Sequence, residues 1–418
     1  MLLPRFYRLF APAILRTARS VARPFVPKLA ERVRHASQLL VSVPPRRPST
    51  SRILVHAASM GELEQCVPVI AALHRREPSL EIIVSCSSPS GMRHAATLQH
   101  CTAAVYHPFE SRGEIQAFLD VVQPDVVMID RYDVWPLFID ELRRRSIPVM
   151  IINATFPSAA SHRLMHQTMS VTYQHCASIT AVTQADADAL HGLVGKDVAV
   201  LPDSRIDRIC DRVATARDTF TYLLRSEPTL IVGSSWDADL SIILPAVQKL
   251  PPGALRVIIV PHEPTEQTLL RIETSISCTR LSQASEQTAG HIVVDSVGAL
   301  LSLYAIGTAA YIGGGFGAGV HSVLEPAGYG LPLACGPRIE RSRDAVALQR
   351  EGACTVLSTT ADVELWLRSI VLDAEARQLA GEHARSYITA RSGSSALYAE
   401  EMFRLLSEKQ QAAQSVRP

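Results

Sequence analysis

Short apolar segments alternate with helix-like segments along almost the whole chain after residue 51. Such apolar runs lie at 53–56, 81–85, 103–106, 126–129, 148–152 and 178–182, and again at 229–232, 257–260, 291–294, 309–312, 331–335 and 355–357. Strands that alternate with helices imply βαβ units and a parallel sheet. The sequence therefore predicts an α/β protein with two doubly wound, Rossmann-like domains and a cleft between them. Ligands are expected at the carboxyl ends of the strands.

The length of 418 residues is sufficient for two such domains. We predict an N-terminal arm and linker at residues 1–50 and a first domain at 51–203. A second domain follows at 204–390, and a C-terminal helix and tail at 391–418.

The N-terminal arm is basic and partly apolar. Residues 1–50 carry a net charge of +9, whereas the rest of the chain carries −8. Phe6, Phe10, Ile14 and Leu15 can share one face of a helix, which is typical of an anchor that lies in a membrane interface. A helix packed on the protein body and an organelle transit peptide are the alternatives. A membrane surface is the favoured partner of the arm, and nucleic acid is not expected.

Cysteine and histidine spacing argues against a metal site. The eight cysteines include no C-x-x-C pair, and the histidines show no H-E-x-x-H spacing. Scattered cysteines of this kind are typical of reduced thiols. No apolar run approaches the roughly 18–20 residues of a transmembrane helix.

A glycine-rich stretch at 311–336 is the most distinctive motif. An apolar run is followed by glycines and then by a sequence that resembles the first turns of a helix, with His321 and Glu325 one turn apart on one face. A strand, a glycine loop and a helix N-terminus together form an anion site, although glycine loops also occur at plain tight turns. The candidate ligand-binding residues in this stretch are Gly314, Gly315, Gly317, His321, Ser322 and Glu325.

Five candidates in the first half of the chain lie at predicted strand ends or helix starts. Glu62 completes the pattern Ser59-x-x-Glu62, which is a capping box on spacing alone. The helix start at Ser88-Pro89-Ser90 presents two hydroxyl groups, which ordinary capping also explains. Arg131 and Asp133 follow the apolar run at 126–129, beside Trp135.

The second half offers three further phosphate or nucleotide contacts. Arg205 lies in a cluster of two arginines and two aspartates, which a surface ion-pair network also explains. Gly233, Ser234 and Ser235 are predicted to form the start of a helix, where their N–H groups would make a second phosphate site. His262 follows a strand, where a lone histidine is more often structural.

The order of these motifs resembles that of the Kdo transferases, which attach 3-deoxy-D-manno-octulosonic acid to the lipid A precursor. The matching segments are His56-Ala57-Ala58-Ser59-Met60-Gly61-Glu62, the glycine loop with His321-Ser322-Val323-Leu324-Glu325, and Gly330-Leu331-Pro332. Ser322 replaces the family's asparagine, Asp133 its glutamate, and Arg341-Ser342 its Asn-Phe pair. The Gly-Ser-Ser-Trp and Pro-His-Glu variants are similar to those of Bacteroidetes- and Chlorobi-type members.

The resemblance implies an inverting glycosyltransferase of the two-domain GT-B type that uses CMP-Kdo as donor. It implies a lipid A precursor as acceptor, at the cytoplasmic face of the bacterial inner membrane. Glu62 corresponds to the proposed general base, Ser88, Ser90, Arg131 and Asp133 to the acceptor region, and Arg205 to the residue that contacts the nucleotide phosphate. No metal or other cofactor is expected. Another nucleotide-sugar enzyme of this fold, such as a UDP-sugar transferase or epimerase, and a non-catalytic paralogue are the alternatives.

Overall fold

The computed structural model describes residues 2–155, 163–216 and 219–415 and divides into two compact units. The first unit comprises Met1–Arg208 together with Gly393–Pro418, and the second comprises Ile209–Ser392. Each unit contains one seven-stranded sheet in which every pairing is parallel. The predicted α/β class is therefore confirmed.

The first sheet has the strand order β3-β2-β1-β4-β5-β6-β7. Its strands are β1 (Arg52–Ala57), β2 (Glu81–Cys86), β3 (Ala103–Tyr106), β4 (Val126–Asp130), β5 (Val149–Ala154), β6 (Ser178–Ala181) and β7 (Ala199–Val200). Every residue of β1, β2, β4 and β5 is buried. Helices that cover both faces of the sheet produce this pattern, which is why these strands are continuous apolar runs rather than alternating ones.

The helices that precede or connect these strands supply that cover. They are α1 (Leu2–Ala22), α2 (Pro27–Val41), α3 (Met60–Arg76), α4 (Pro89–Ala95), α5 (Arg112–Val122), α6 (Pro136–Arg144), α7 (Arg163–Tyr173) and α8 (Gln184–Val194). Helix α9 (Arg205–Thr215) follows the last strand of this sheet. Ser88 caps α4 by accepting a hydrogen bond from the Gly91 N–H, and Pro89 occupies the first helical position. The predicted start of α4 is confirmed, because both residues have the preferred chemistry for their positions.

The second sheet has the order β10-β11-β9-β8-β12-β13-β14. Its strands are β8 (Thr229–Ser235), β9 (Arg256–Pro261), β10 (Cys278–Arg280), β11 (His291–Val293), β12 (Ala309–Ile312), β13 (Leu333–Cys335) and β14 (Cys354–Val356). Its helices are α10 (Asp237–Gln248), α11 (Glu266–Ser275), α12 (Leu300–Tyr304), α13 (Leu324–Gly328), α14 (Arg343–Arg350), α15 (Thr360–Trp366) and α16 (Ala374–Thr389). Short 3-10 turns lie at Thr221–Leu223 and Leu281–Gln283, and a π-helical turn lies at Leu367–Val371.

The last helix, α17 (Ser394–Ser415), belongs to the first unit. Its buried Tyr398 and Met402 join the apolar cluster beneath β1 and α3. Asp207 fixes the start of this helix, because its carboxylate accepts hydrogen bonds of 2.5 Å and 2.7 Å from the N–H groups of Gly393 and Ser395. The C-terminal segment is thus a structural part of the first unit.

The N-terminal arm is helical and leaves apolar side chains exposed. Phe10, Ile14 and Leu15 are 49%, 62% and 39% exposed, whereas the side chain of Phe6 lies outside the described residues. Membrane binding by this face stays a prediction. Among the residues that the structure describes, no helix is long and apolar enough to cross a bilayer.

Candidate active site

The first sheet has a topological switch point between β1 and β4. Strand β1 pairs with β2 on one side and with β4 on the other. Open parallel sheets bind ligands at the carboxyl ends of the strands at such a point. Glu62 lies on α3, which follows β1, and Arg131 and Asp133 directly follow β4. Three predicted site residues therefore occupy the switch point of one sheet.

Glu62 is a buried carboxylate in the first turn of α3, with 8% exposure. Its Oε2 accepts a hydrogen bond of 3.1 Å from the N–H of Ser59, and its own N–H donates to Ser59 Oγ over 3.3 Å. The capping box is therefore present. Burial raises the pKa of Glu62, although hydrogen bonds from the backbone of Ala58 and Ser59 partly offset this. A carboxylate with a raised pKa accepts protons more readily, so capping and general-base catalysis are compatible roles.

Asp133 is the centre of a hydrogen-bond cluster beside Glu62. Its Oδ2 lies 2.9 Å from His56 Nε2 and accepts a hydrogen bond of 3.3 Å from Ser87 Oγ. Its Oδ1 accepts a hydrogen bond of 2.9 Å from the indole N–H of Trp135. Burial raises the pKa of Asp133, but the hydrogen bonds from His56, Trp135 and Ser87 outweigh it and leave the pKa below its ordinary value. The ionised Asp133 therefore fixes the rings of His56 and Trp135.

One buried carboxylate, that of Asp203, holds two of the predicted site arginines. Arg131 Nη2 and Arg205 Nε each lie 2.9 Å from Asp203 Oδ2. Arg131 Nε also donates to Gln65 Oε1 over 2.9 Å. Because 40% of the Arg205 side chain is exposed, its charge is positioned without being enclosed.

A buried amide supports this arrangement from behind. The Nδ2 of Asn153 donates to Asp130 Oδ1 and to Ser204 Oγ, in each case over 2.7 Å, and the Ser204 N–H donates to Asn153 Oδ1 over 3.0 Å. Burial raises the pKa of Asp130 well above its ordinary range, which favours the neutral acid. Asn153 thus ties β5 to the segment that carries Asp203 and Arg205.

Ser88 and Ser90 have different surroundings at the start of α4. Ser88 Oγ accepts the cap hydrogen bond of 3.0 Å from the Gly91 N–H and lies 3.3 Å from Ser90 Oγ. Ser90 is exposed. Capping therefore explains Ser88, whereas Ser90 is available for contact with a substrate.

The second sheet has the same kind of switch point, between β8 and β12. Strand β8 pairs with β9 on one side and with β12 on the other. The segment Gly233–Ser235 was predicted to open a helix, but it completes β8, and α10 begins only at Asp237. Ser235 is 3% exposed and its Oγ donates to the Val260 carbonyl over 3.4 Å. His262 follows β9 directly.

The glycine loop after β12 is tightly packed against backbone. A Cβ on Gly313 would lie 2.2 Å from the Ser234 carbonyl oxygen, and one on Gly315 would lie 2.6 Å from Gly336 N. Gly314 has a φ of +93°. These three positions require glycine for the fold itself. Gly317 is different, because its nearest neighbour to a Cβ is the Gly314 carbonyl oxygen at 3.7 Å.

Asp239 connects the glycine loop to α10, although nothing in its spacing marked it as part of the site. Its Oδ2 accepts hydrogen bonds from the N–H groups of Trp236, over 2.8 Å, and Gly314, over 3.1 Å. Its Oδ1 accepts the Tyr311 hydroxyl over 2.9 Å. This fully buried carboxylate fixes the loop relative to the helix start.

Three aromatic rings form a stack from the residues that directly follow β8 and β9 and from the loop after β12. Trp236 stacks on His262 with 4.4 Å between ring centroids, and His262 stacks on His321 with 4.6 Å. The indole N–H of Trp236 donates to His321 Nε2 over 3.1 Å, so this nitrogen carries no proton. Burial lowers the pKa of His321, and the neighbouring His262 lowers it further. Trp236 remains 45% exposed.

The predicted placement of His321 and Glu325 on one helical face is wrong. Helix α13 begins at Leu324, so His321 and Ser322 precede it. Glu325 Oε1 instead accepts a hydrogen bond of 2.7 Å from Arg212 Nη1. The His321 backbone is held by the Gly313 carbonyl, to which its N–H donates over 3.1 Å. The loop geometry, rather than a helix, determines where the imidazole lies.

Within the described residues, no group of three or more His, Cys, Asp and Glu side chains is arranged to hold a metal ion. That the reaction needs no metal stays a prediction.

Sequence comparison identifies relatives of this chain. Residues 27–208 match a family model described as 3-deoxy-D-manno-octulosonic-acid transferase (kdotransferase). The 3-deoxy-D-manno-octulosonic acid transferase of Haemophilus influenzae is 25% identical over 357 residues, covering 80% of this chain and 82% of the relative. The enzyme of the same name from Aquifex aeolicus is 23% identical over 304 residues, covering 72% and 80%.

Solved structures support the fold. The UDP-GlcNAc 2-epimerase of Neisseria meningitidis superposes with a TM-score of 0.61 at 12% identity, covering 85% of this chain and 100% of the epimerase. A glycosyltransferase from Rickettsia africae superposes with a TM-score of 0.55 at 10% identity, covering 87% and 99%. At these identities the likeness concerns architecture alone. The predicted GT-B fold is confirmed.

Proposed function

We infer that the chain belongs to the Kdo transferase family of glycosyltransferases, and we propose that it transfers Kdo from CMP-Kdo to a hydroxyl group of a lipid A precursor. The transfer inverts the anomeric centre. The observation that carries the proposal is the placement of Glu62 at the switch point of the first sheet, buried and with a raised pKa. Membership of the Bacteroidetes- and Chlorobi-type subgroup stays a prediction.

Glu62 acts as the general base in this proposal. It takes the proton of the acceptor hydroxyl while the hydroxyl oxygen attacks the anomeric carbon of Kdo and the bond from that carbon to the CMP phosphate oxygen breaks. Arg131 and Asp133 hold the acceptor side of the reaction, together with Ser90 and the cap residue Ser88. The low pKa of Asp133 keeps a negative charge there, which favours the proton on Glu62 once it has been transferred.

The second unit holds the donor. The exposed ring of Trp236, supported by His262 and His321, offers a surface on which a cytosine base can stack. Ser234 and the loop that contains Gly314, Gly315 and Gly317 lie against the CMP phosphate in this proposal. In the first unit, Asp203 positions the side chain of Arg205, which the family resemblance assigns to the leaving phosphate. Glu325, Ser322, Gly233 and Ser235 act mainly by shaping this donor site.

The exposed apolar face of α1 keeps the enzyme at the cytoplasmic face of the inner membrane, where its lipid acceptor lies. The basic charge of the arm adds attraction to anionic lipid headgroups.

Incubation of the purified protein with CMP-Kdo and a lipid A precursor, followed by mass spectrometry, tests the reaction. The expected product is the precursor carrying one or more Kdo units, with release of CMP. A thermal-shift comparison of CMP with UDP tests the donor class independently of turnover. Stabilisation by UDP alone would favour a UDP-sugar enzyme, and stabilisation by CMP without product would favour a non-catalytic paralogue.

A further inference from the structure

A cavity of about 150 Å³ lies between the N-terminal helices and the body of the first unit. Its wall combines apolar side chains with three arginines and two glutamates. The residues that line it are Pro12, Leu15, Arg16, Arg19, Arg32, Ser87, Pro108, Phe109, Glu110, Ser111, Glu114 and Trp135. We call it the arginine cavity.

Two guanidinium groups of the arginine cavity share one aromatic ring. The Cζ atoms of Arg19 and Arg32 each lie 4.1 Å from the centroid of Phe109. Arg32 donates to the His107 carbonyl over 2.6 Å, but its Nε has no hydrogen-bond partner within the described part of the chain. Burial lowers the pKa of Arg32 to about 10. A buried cation next to a second cation is stabilised by an anion.

The acidic side chains near the cavity act on Arg32 electrostatically, as Asp133 and Glu114 do, but no carboxylate among the described residues forms an ion pair with it. Glu114 pairs with Arg19 at 2.9 Å. Glu110 is turned to α6, where its Oε1 accepts the Leu137 N–H over 2.7 Å. Among the described residues, neither Arg16 nor Arg32 forms an ion pair with a carboxylate, and the Arg16 guanidinium donates only to Ser111 Oγ, over 3.3 Å.

The cavity shares two of its lining residues with the acceptor cluster. Ser87 and Trp135 line the arginine cavity and also donate hydrogen bonds to Asp133. An anionic group in the cavity is therefore separated from the switch point by a single layer of side chains. Leu15, beside the exposed Ile14, provides an apolar border on α1.

We propose that the arginine cavity binds a phosphate group of the glycolipid acceptor and so positions the sugar that carries the reacting hydroxyl. A phosphomonoester carries up to two negative charges, which match the guanidinium groups of Arg16 and Arg32, neither of which has a carboxylate partner among the described residues. Arginine binds phosphate oxygens in a bidentate manner. The apolar border accommodates the start of an acyl chain. This inference rests on the proposed lipid A acceptor.

The test is acceptor-dependent kinetics in neutral detergent micelles, with Arg16→Gln/Arg32→Gln compared with the wild type. With the bisphosphorylated lipid A precursor, the double variant should raise the acceptor KM by about 10- to 100-fold, the range for lost charge-assisted hydrogen bonds, with kcat largely kept. With the monophosphoryl precursor that lacks the bound phosphate, the wild type should show the raised KM and the variant no further increase.

The matched control is Arg23→Gln/Arg34→Gln, which removes two exposed arginines, one directly after α1 and one in the middle of α2. It loses the same charge but should keep the wild-type acceptor KM in neutral micelles. Equal KM changes in both double variants, or a change that does not depend on acceptor phosphorylation, would overturn the proposal. If the double variant has a much lower melting temperature than the wild type, the same kinetic comparison is made with Arg16→Gln alone.

Binding of radiolabelled bisphosphorylated precursor, measured without donor, separates this inference from the proposed reaction. Binding that weakens in Arg16→Gln/Arg32→Gln supports the cavity even if no Kdo is transferred. Transfer with an unchanged acceptor KM rejects the cavity and keeps the reaction. Competition by micelles doped with phosphatidic acid identifies the source of the phosphate. Equal binding of phosphatidic acid would assign the cavity to membrane phospholipid and overturn the acceptor assignment.

Discussion

Ser59 and Glu62 bind each other reciprocally at the start of α3, with the Ser59 N–H donating to Glu62 Oε2 over 3.1 Å and the Glu62 N–H donating to Ser59 Oγ over 3.3 Å. This contact satisfies two backbone donors of the helix start. It also holds the carboxylate in one orientation beside His56 and Asp133, which both act electrostatically on it. A residue that was predicted to be either a cap or a base therefore has the geometry for both.

Glu62→Gln separates the two roles. Glutamine can still accept the Ser59 N–H, so the melting temperature should remain close to that of the wild type. Glutamine cannot take a proton, so the transfer rate under saturating donor and acceptor should fall by roughly 10²- to 10⁴-fold. CMP binding should be unchanged. A variant that keeps more than about a tenth of the wild-type rate would remove Glu62 from the mechanism.

Ser59→Ala is the complementary control. It removes the cap acceptor and leaves the carboxylate in place, so we expect a loss of about 0.5–2 kcal/mol in unfolding free energy. Its transfer rate should fall far less than that of Glu62→Gln. A rate loss as large as that of Glu62→Gln would indicate that orientation of the carboxylate, rather than proton transfer, limits the reaction.

The fold was predictable because the local signals agreed with one another. The apolar run at 81–85 became β2, which is buried on both faces, and Ser88 with Pro89 marked the start of α4 correctly. In a buried parallel sheet, burial requires continuous apolar runs, and these are visible in one sequence. The positions of Glu62, Arg131 and Asp133 after predicted strands were visible in the sequence, but the strand order that brings them to one switch point was known only from the structure.

Features that depend on long-range contacts were not predictable. The segment at His321 resembles a helix start, but α13 begins only at Leu324. The hydrogen bond from the His321 N–H to the Gly313 carbonyl and the packing of Gly315 on Gly336 hold the preceding residues in the loop. Asp239 carries no motif, since its role depends on meeting Gly314, 75 residues away. The stack formed by Trp236, His262 and His321 was equally hidden, because three separate strand ends bring the rings together.

Arg205→Ala tests whether the arginine held by Asp203 serves the donor. We expect CMP binding to weaken by about 1.5–3 kcal/mol, the scale of a charge-assisted hydrogen bond, as measured by calorimetry. Arg208→Ala is the matched control, because it removes an arginine from the same helix that pairs instead with Glu64 at 2.6 Å. Unchanged CMP affinity in Arg205→Ala would indicate that Arg205 only forms a surface ion pair and does not bind the donor.

Two glycines of the loop should respond differently to alanine. Gly315→Ala would bring a Cβ within 2.6 Å of the Gly336 backbone, so we expect a loss of at least about 2 kcal/mol in unfolding free energy. Gly317→Ala meets only the Gly314 oxygen at 3.7 Å, and its stability should stay within about 0.5 kcal/mol of the wild type.

The same pair of variants tests whether the loop approaches a ligand. If the exposed backbone at Gly317 contacts the CMP phosphate, Gly317→Ala should weaken CMP binding by about tenfold while the melting temperature is kept. Calorimetry with CMP beside a melting curve provides both values. Normal affinity in Gly317→Ala would place the phosphate elsewhere in the second unit.

Glu110 should make the stability of the first unit depend on pH. Burial raises the pKa of this carboxyl from 4.5 to about 7. Because the folded-state pKa is the higher one, the neutral acid is favoured by folding. The contribution of the neutral Glu110 side chain to the stability of the folded state is complete below pH 4.5. It decreases as the pH rises towards 7 and is absent above that. The corresponding change in unfolding free energy is about 2–4 kcal/mol.

Glu110→Gln should abolish this pH dependence. Glutamine keeps an oxygen to accept the Leu137 N–H but does not ionise, so the variant should match the wild type near pH 5 and exceed it by about 2–4 kcal/mol at pH 8 in denaturant unfolding. Tyr7→Phe is the control. The Tyr7 hydroxyl lowers the folded-state pKa of Glu110, so its removal should raise the upper end of the pH window and leave the lower end, set by the unfolded chain, in place. Parallel curves for wild type and Glu110→Gln between pH 5 and 8 would show that Glu110 is ionised throughout that range.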